Sequence, residues 1–142
     1  MDDSRQSADP LHIEFRAVSE ELGRVRALLR PWLARVITDP HQAYDLLLAV
    51  SEACSNSIEH GHHGDGRAIR LHAVAEDRVR ITVTDTGTWL APSEDPGSDR
   101  GRGLALMRTL VPDTRVTPGA DGTTVEFTTL LPAAPPPGPA TR

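Results

Sequence analysis

Four short stretches of this 142-residue chain hold residues whose types and spacing can do chemistry. Glu52 and Asn56 are four apart, so on a helix they stand one turn from each other and offer a base beside a metal-ligand oxygen. Asp85-Thr86-Gly87 supplies an acid able to accept from an exocyclic amine, with a glycine that lets a flat ring approach the backbone. In Asp99-Arg100-Gly101-Arg102-Gly103-Leu104 the glycines come immediately before an expected helix, where free N–H groups and the helix dipole favour an anion, with arginines alongside. Asp121-Gly122-Thr123-Thr124-Val125 turns into a final strand with two hydroxyls that can hold a ligand or satisfy the strand edge. Each has a plain structural alternative when taken alone: a solvated helix face, an Asp-x-Gly turn, a flexible helix entry and a hairpin turn.

Composition removes several other chemistries. All fifteen basic residues are arginine, so a P-loop lysine, a Schiff-base lysine and a lysine base are excluded. The glycine pattern at Gly101 and Gly103 lacks the third glycine of the dinucleotide fingerprint. A formal charge of -5 argues against a general nucleic-acid surface, and any phosphate must be held locally. The one cysteine, Cys54, reads as a small buried hydrophobe, because it cannot form an intramolecular disulfide or a multi-cysteine zinc site. The longest apolar run, Leu46 to Val50, is far short of a membrane span, and the polar start lacks the order of a signal peptide; the expected location is the cytoplasm.

The elements that must position these residues follow from periodicity. Leu11 to Ala17 alternates with period two, as a half-buried strand does. Leu22, Val25, Leu28, Leu29, Trp32, Leu33 and Val36 recur at helical spacing after Ser19-Glu20-Glu21, with Pro31 placed to kink or split the helix. Asp39-Pro40 opens a second helix over 41–60, with Ala43, Leu47, Val50, Cys54 and Ile58 on one side and Asp45, Glu52, Asn56 and Glu59 within about 60° of arc on the other. The run Ser51 to Ser57 is unusually small for a helix, which lets something approach closely. Ala68–Ala75 and Val79–Thr84 read as a hairpin turning at Glu76-Asp77-Arg78. A loop over 88–101, a short helix near Leu104–Val111 and strands near Thr114–Thr117 and Thr123–Leu131 complete the domain. Residues 1–10 read as a flexible start and the Pro-rich residues 132–142 as a solvated tail. The expected architecture is an α/β two-layer sandwich, with helices on one face of a mixed, mostly antiparallel sheet spanning residues 11–131.

Taken in order, the four stretches resemble the N, G1, G2 and G3 boxes of the ATPase superfamily of gyrase, the heat-shock-90 chaperones, histidine kinases and MutL, which share the Bergerat ATP-binding fold. The similarity is greater to the anti-sigma-factor serine kinases and related ATP-binding regulatory domains. The resemblance implies Glu52 as general base, Asn56 as Mg2+ ligand and His60 a further turn along. It implies Asp85 for the adenine amino group, Gly87 beneath the ring, and Thr123 or Thr124 supporting the base side of the pocket. Gly101, Arg102, Gly103 and Leu104 would form the phosphate end, and Arg100 would neutralise charge on the transferred phosphoryl group. Trp89 stands where the G1 pattern usually has its second glycine, Leu90 to Arg100 is a short lid, and no phosphoacceptor-histidine helix pair is present.

The implied function is phosphorylation, with ATP and Mg2+, of a serine or threonine on an anti-anti-sigma antagonist protein, together with sequestration of a sigma factor by a homodimer. Two other readings stand beside it. One is a binding module that controls a partner by contact without phosphoryl transfer. The other is a metal-dependent hydrolase built on the turn that holds Glu59, His60, His62, His63 and Asp65. Trp32 and Trp89 read as core and lid residues, since an acidic chain with few aromatics is a poor stacking platform.

Overall fold

A computed structural model describes residues 9–61, 68–85, 99–119 and 122–131. The expectations for Gly87, for Trp89 and the lid before Asp99, for His62, His63 and Asp65, for the first eight residues and for the tail lie outside them. Strand β1 (Leu11–Arg16) leads through a 3-10 turn at Ser19–Glu21 into helix α1 (Leu22–Val36). Helix α2 (Pro40–Asn56) continues as a π-helical turn at Ser57–Gly61, and strands β2 (Ala68–Ala75) and β3 (Arg78–Asp85) follow. Helix α3 (Asp99–Leu110) and strands β4 (Thr114–Gly119) and β5 (Gly122–Leu130) complete the order.

The sheet runs β1-β2-β3-β5-β4, and every neighbouring pair is antiparallel, so the mostly antiparallel sheet expected contains no parallel pair among the described strands. Alternation decides its two faces. Ile13 and Phe15, Ile69 and Leu71, Val79, Ile81 and Val83, and Val125 and Phe127 are all buried, while their neighbours His12, Glu14, Arg70, His72 and Arg80 are exposed. The helices meet the buried face with Val25, Leu29, Trp32 and Leu33 of α1, Leu46, Ala49, Val50 and Cys54 of α2, and Met107 of α3. Burial of this apolar face at about 25 cal/mol per Å2 is the main source of stability, which local helix preferences do not supply.

Pro31 does not split α1. It sits on the exposed side of an unbroken helix, where the buried contacts of Leu29, Trp32 and Leu33 hold the turn that its missing N–H leaves one bond short. Trp32 is a core residue whose Nε1–H donates to the Asp9 carbonyl at 2.8 Å. Arg24 ties the start of α1 to its surroundings by donating to the Glu21 carboxylate and the Glu14 carbonyl, both at 2.9 Å. Asp39 caps α2 by accepting from the His41 N–H at 3.0 Å, with Pro40 at the first helical position. Two residues on, the Gln42 amide donates to Thr129 Oγ1 and the Leu130 carbonyl, each at 3.1 Å, and pins the end of β5 to this helix start.

Cys54 lies wholly within the core, as the sequence indicates. Burial pushes its thiol up to about 12, against a weaker opposing pull from Arg26. A thiol that ionises near 9.0 when unfolded and near 12 when folded favours the folded state below pH 9, and that contribution is lost as pH rises from 9 towards 12. The native protein is therefore expected to resist an aromatic disulfide reagent at pH 8, reacting at Cys54 only at the rate of unfolding. Absorbance of the released thiolate, followed with and without denaturant, checks this.

Candidate functional site

Helix α2 is buried around most of its C-terminal half, because α1, α3 and the sheet all close on it. The small side chains of Ala49, Ser51, Ala53 and Ser55 permit that approach. Asn56, placed by the sequence on a polar arc, is consequently only 8% exposed, and Glu52 one turn earlier is half-buried. The rest of that arc separates. Glu59 is exposed, and Asp45 lines a different cavity with Asp39, His41, Gln42, Leu46 and Val111.

The contact that assembles the site is made by a glycine. A Cβ on Gly103 would lie 2.8 Å from Glu52 Oε2 and 3.3 Å from Asn56 Nδ2, so the two side-chain ends converge on one point beneath α3. Among the described residues neither the Glu52 nor the Asn56 side chain has a hydrogen-bond or ion-pair partner, which leaves both side chains available to a ligand. The glycines expected before a helix lie inside it, since α3 begins at Asp99. Gly101 falls in the first turn, where amides have no helical acceptor, while Gly103 lies beyond it and serves close packing instead. Arg100 and Arg102 belong to the same first turns by their backbone, and Leu104 packs against the core.

A second polar pair closes the end of the sheet. Asp85 is the last of the inward series Val79, Ile81 and Val83, so strand alternation carries a carboxylate onto the helix-covered face, where it is 1% exposed. Thr123 is directly opposite it on β5 and equally buried. Gly122 just before it has φ 150°, a conformation other residues rarely adopt, and it pairs with Gly119 at the end of the β4–β5 ladder. Thr124 pairs with Thr84 and Thr117 on the opposite, uncovered face. The structure thus groups Thr123 with Asp85 and leaves Thr124 outside the pocket. His60 belongs to the π-helical turn by its backbone.

Sequence reasoning missed two participants. Ser57 is completely buried, and its Oγ finds no hydrogen-bond partner among the described residues. This unmet hydroxyl, next in sequence to Asn56, is a cost of about 1–3 kcal/mol carried by the end of α2. Its only sequence signal was membership of the small run Ser51 to Ser57. Arg26 reaches from α1 to donate to Ser51 Oγ at 3.2 Å, and Ser51 donates onward to the Leu47 carbonyl at 2.7 Å. That bridge holds α1 to the turn that carries Glu52, and spacing within one helix could not disclose it. Among the described residues no group of three or more His, Cys, Asp or Glu side chains could hold a metal ion, and the turn on which the hydrolase reading rests lies mostly outside them.

Three helices on one face of a five-stranded antiparallel sheet, with an acid and an amide converging under a helix start, make an α/β two-layer sandwich. The histidine kinase-like ATPase domain matches residues 15–129, and the chain belongs to that family. It is 32% identical over 143 residues to the serine-protein kinase RsbW of Bacillus subtilis (strain 168), covering 89% of each chain. It is 30% identical over 113 residues to the anti-sigma F factor of Clostridium perfringens (strain 13 / Type A), covering 71% of this chain and 81% of that one. Among solved structures, the RsbU and RsbW domains of Rv1364c from Mycobacterium tuberculosis match with a TM-score of 0.71 and 35% identity, over 87% of this chain and 33% of that one.

Gly103→Ala tests the convergence point. Alanine is the better helix former by about 1 kcal/mol, and the nearest obstacle is the flexible end of Glu52, so the melting temperature is expected to move by no more than about 5 °C. The displaced carboxylate and amide are expected to weaken Mg-ATP binding about tenfold or more, as read by calorimetric titration.

Proposed function

We propose that this chain is an anti-sigma-type protein serine/threonine kinase that binds ATP with Mg2+ and phosphorylates an anti-anti-sigma antagonist protein. The observation that carries this reading is the seat of Gly103 against Glu52 and Asn56, which puts an unpaired carboxylate and an unpaired amide at one point. The names of the relatives, a serine-protein kinase and an anti-sigma factor, support the same activity.

The residues fit the two groups. Mg2+ takes oxygen ligands, and the Asn56 carbonyl oxygen supplies one without adding charge beside Glu52. The cradle over Gly103 would be filled by any larger side chain, and the unmet Ser57 hydroxyl lies next in sequence to Asn56. Asp85 accepts the adenine amino group, with Thr123 beside it and Gly87 beneath the ring. The first turn of α3, with Gly101 and Arg102, holds the phosphates, Gly103 just beyond it lets the helix approach Glu52 and Asn56, and Arg100 neutralises charge there. Mg2+, when bound, offsets phosphate charge and orients the terminal group. Glu52 then acts as general base: it accepts the proton of the seryl or threonyl hydroxyl whose oxygen takes the phosphoryl group, and ADP leaves. A module that binds without transfer would need no unpaired carboxylate beside the amide, so the catalytic reading leads.

The partners that follow are the antagonist and a sigma factor sequestered by the unphosphorylating state of a homodimer, acting in the cytoplasm without direct contact to nucleic acid. Among the described residues no helix is long and apolar enough to cross a membrane.

Titration with ATP is expected to show saturable, Mg-dependent binding. Asn56→Ala and Asp85→Asn should each weaken it by about tenfold or more, since both remove a polar partner from a buried position. Glu52→Ala is expected to keep ATP binding while transfer of labelled phosphate to an anti-anti-sigma domain falls by about 100-fold or more. Wild-type transfer by Glu52→Ala would remove the base assignment, and absence of ATP binding by the folded protein would remove the kinase reading.

A further inference from the structure

The face of the sheet turned away from the helices carries a feature that the nucleotide site does not use. His12 of β1 and His72 of β2 are directly opposite in the antiparallel register, both exposed, with ring centroids 4.1 Å apart and planes 19° from parallel. We propose that this pair is a binding site for a divalent transition-metal ion of the zinc, nickel or copper type.

The geometry suits that ligand. Metal–imidazole bonds are about 2.0–2.1 Å long, so two nitrogens on a tetrahedral ion stand about 3.4 Å apart. The stacked rings share no point in their planes near both nitrogens, so binding turns each imidazole by several tens of degrees about its side-chain bonds until both planes meet at the ion, a change of rotamer rather than of strand pairing. The ladder does the positioning, because residues facing across an antiparallel pair are held with Cβ atoms about 4.5–5.5 Å apart by bonds on both sides. The surroundings leave the rings accessible: Glu14 and Arg70, the next facing pair, are exposed and only 4.0 Å apart at their charged ends, and the Thr82 hydroxyl lies at 3.4 Å from the His72 carbonyl.

Ligand chemistry separates this site from the one at Asn56. Two imidazole nitrogens select borderline metals, whereas Mg2+ takes oxygen and holds its water. Position separates them too, since His72 alternates with the buried Leu71 and Ala73 and points away from the face that holds Asp85 and Thr123. Water completes the coordination, and the bound ion clips β1, an edge strand, to its neighbour.

The test uses the full chain carrying His60→Ala, His62→Ala and His63→Ala, so that the His-rich turn has no imidazole to supply the signal. Calorimetric titration with Zn2+ or Ni2+ alone, in the absence of nucleotide, is expected to show one saturable site, with the His12 and His72 ring-proton signals shifted by Zn2+ and broadened by Ni2+ in the NMR spectrum. His12→Ala, His12→Gln and His72→Ala should each weaken binding by about tenfold or more and abolish the metal-induced rise in melting temperature. Circular dichroism melts of the metal-free variants verify folding, and the exposed positions make them tolerant. Unchanged affinity in these variants, or no saturable binding by the folded parent, would overturn the proposal.

Discussion

Helix α3 reaches α2 at Glu52 and Asn56 because residue 103 has no side chain. That approach organises the molecule. It buries Asn56 with no side-chain partner among the described residues and sets the Glu52 carboxylate and the Asn56 amide against the early part of α3. A methyl group at 103 would have to displace the two side chains whose convergence constitutes the site. Close packing elsewhere in the core serves stability, whereas here it determines where polar groups point.

The second constraint is the single alternation of β3. The series that buries Val79, Ile81 and Val83 continues without interruption to Asp85, so the apolar core and the polar pocket are successive positions of one strand. A slip of one residue would turn Asp85 to solvent and bring Thr84 inward, which is why register matters more than composition at this edge. The β3–β5 ladder transmits the same requirement to Thr123, and β5 begins just before it at Gly122. Buried polar groups here, including the unmet Ser57 hydroxyl, are a standing cost that the apolar core offsets.

The two faces of the sheet divide the molecule's chemistry. The inner face packs the helices and ends in the buried polar pair Asp85 and Thr123. The outer face is polar, with the His12–His72 stack and the Arg80–Glu126 ion pair at 3.2 Å. Exposed ion pairs of this kind add little to stability, so substitutions there leave the fold intact and alter what the surface recognises.

The sequence by itself determined the order of elements, the period-two and helical faces, the burial of Cys54 and Trp32, and the family resemblance of four short stretches. Those features are local: each follows from spacing within a few residues, which the backbone geometry of one strand or helix converts into a face. It did not determine that Pro31 would sit within an unbroken helix, that α3 would start at Asp99 with its glycines inside, or that Thr123 rather than Thr124 would face Asp85. Nor did it distinguish a solvated arc on α2 from a buried one. Those outcomes depend on which surfaces meet, and only the tertiary structure decided them: α3 covers Glu52 and Asn56, α1 delivers Arg26 to Ser51, and β5 pairs in one register with β3. Contacts between residues far apart in the chain have no period to read, because the entropy of bringing them together is recovered only when the whole core closes.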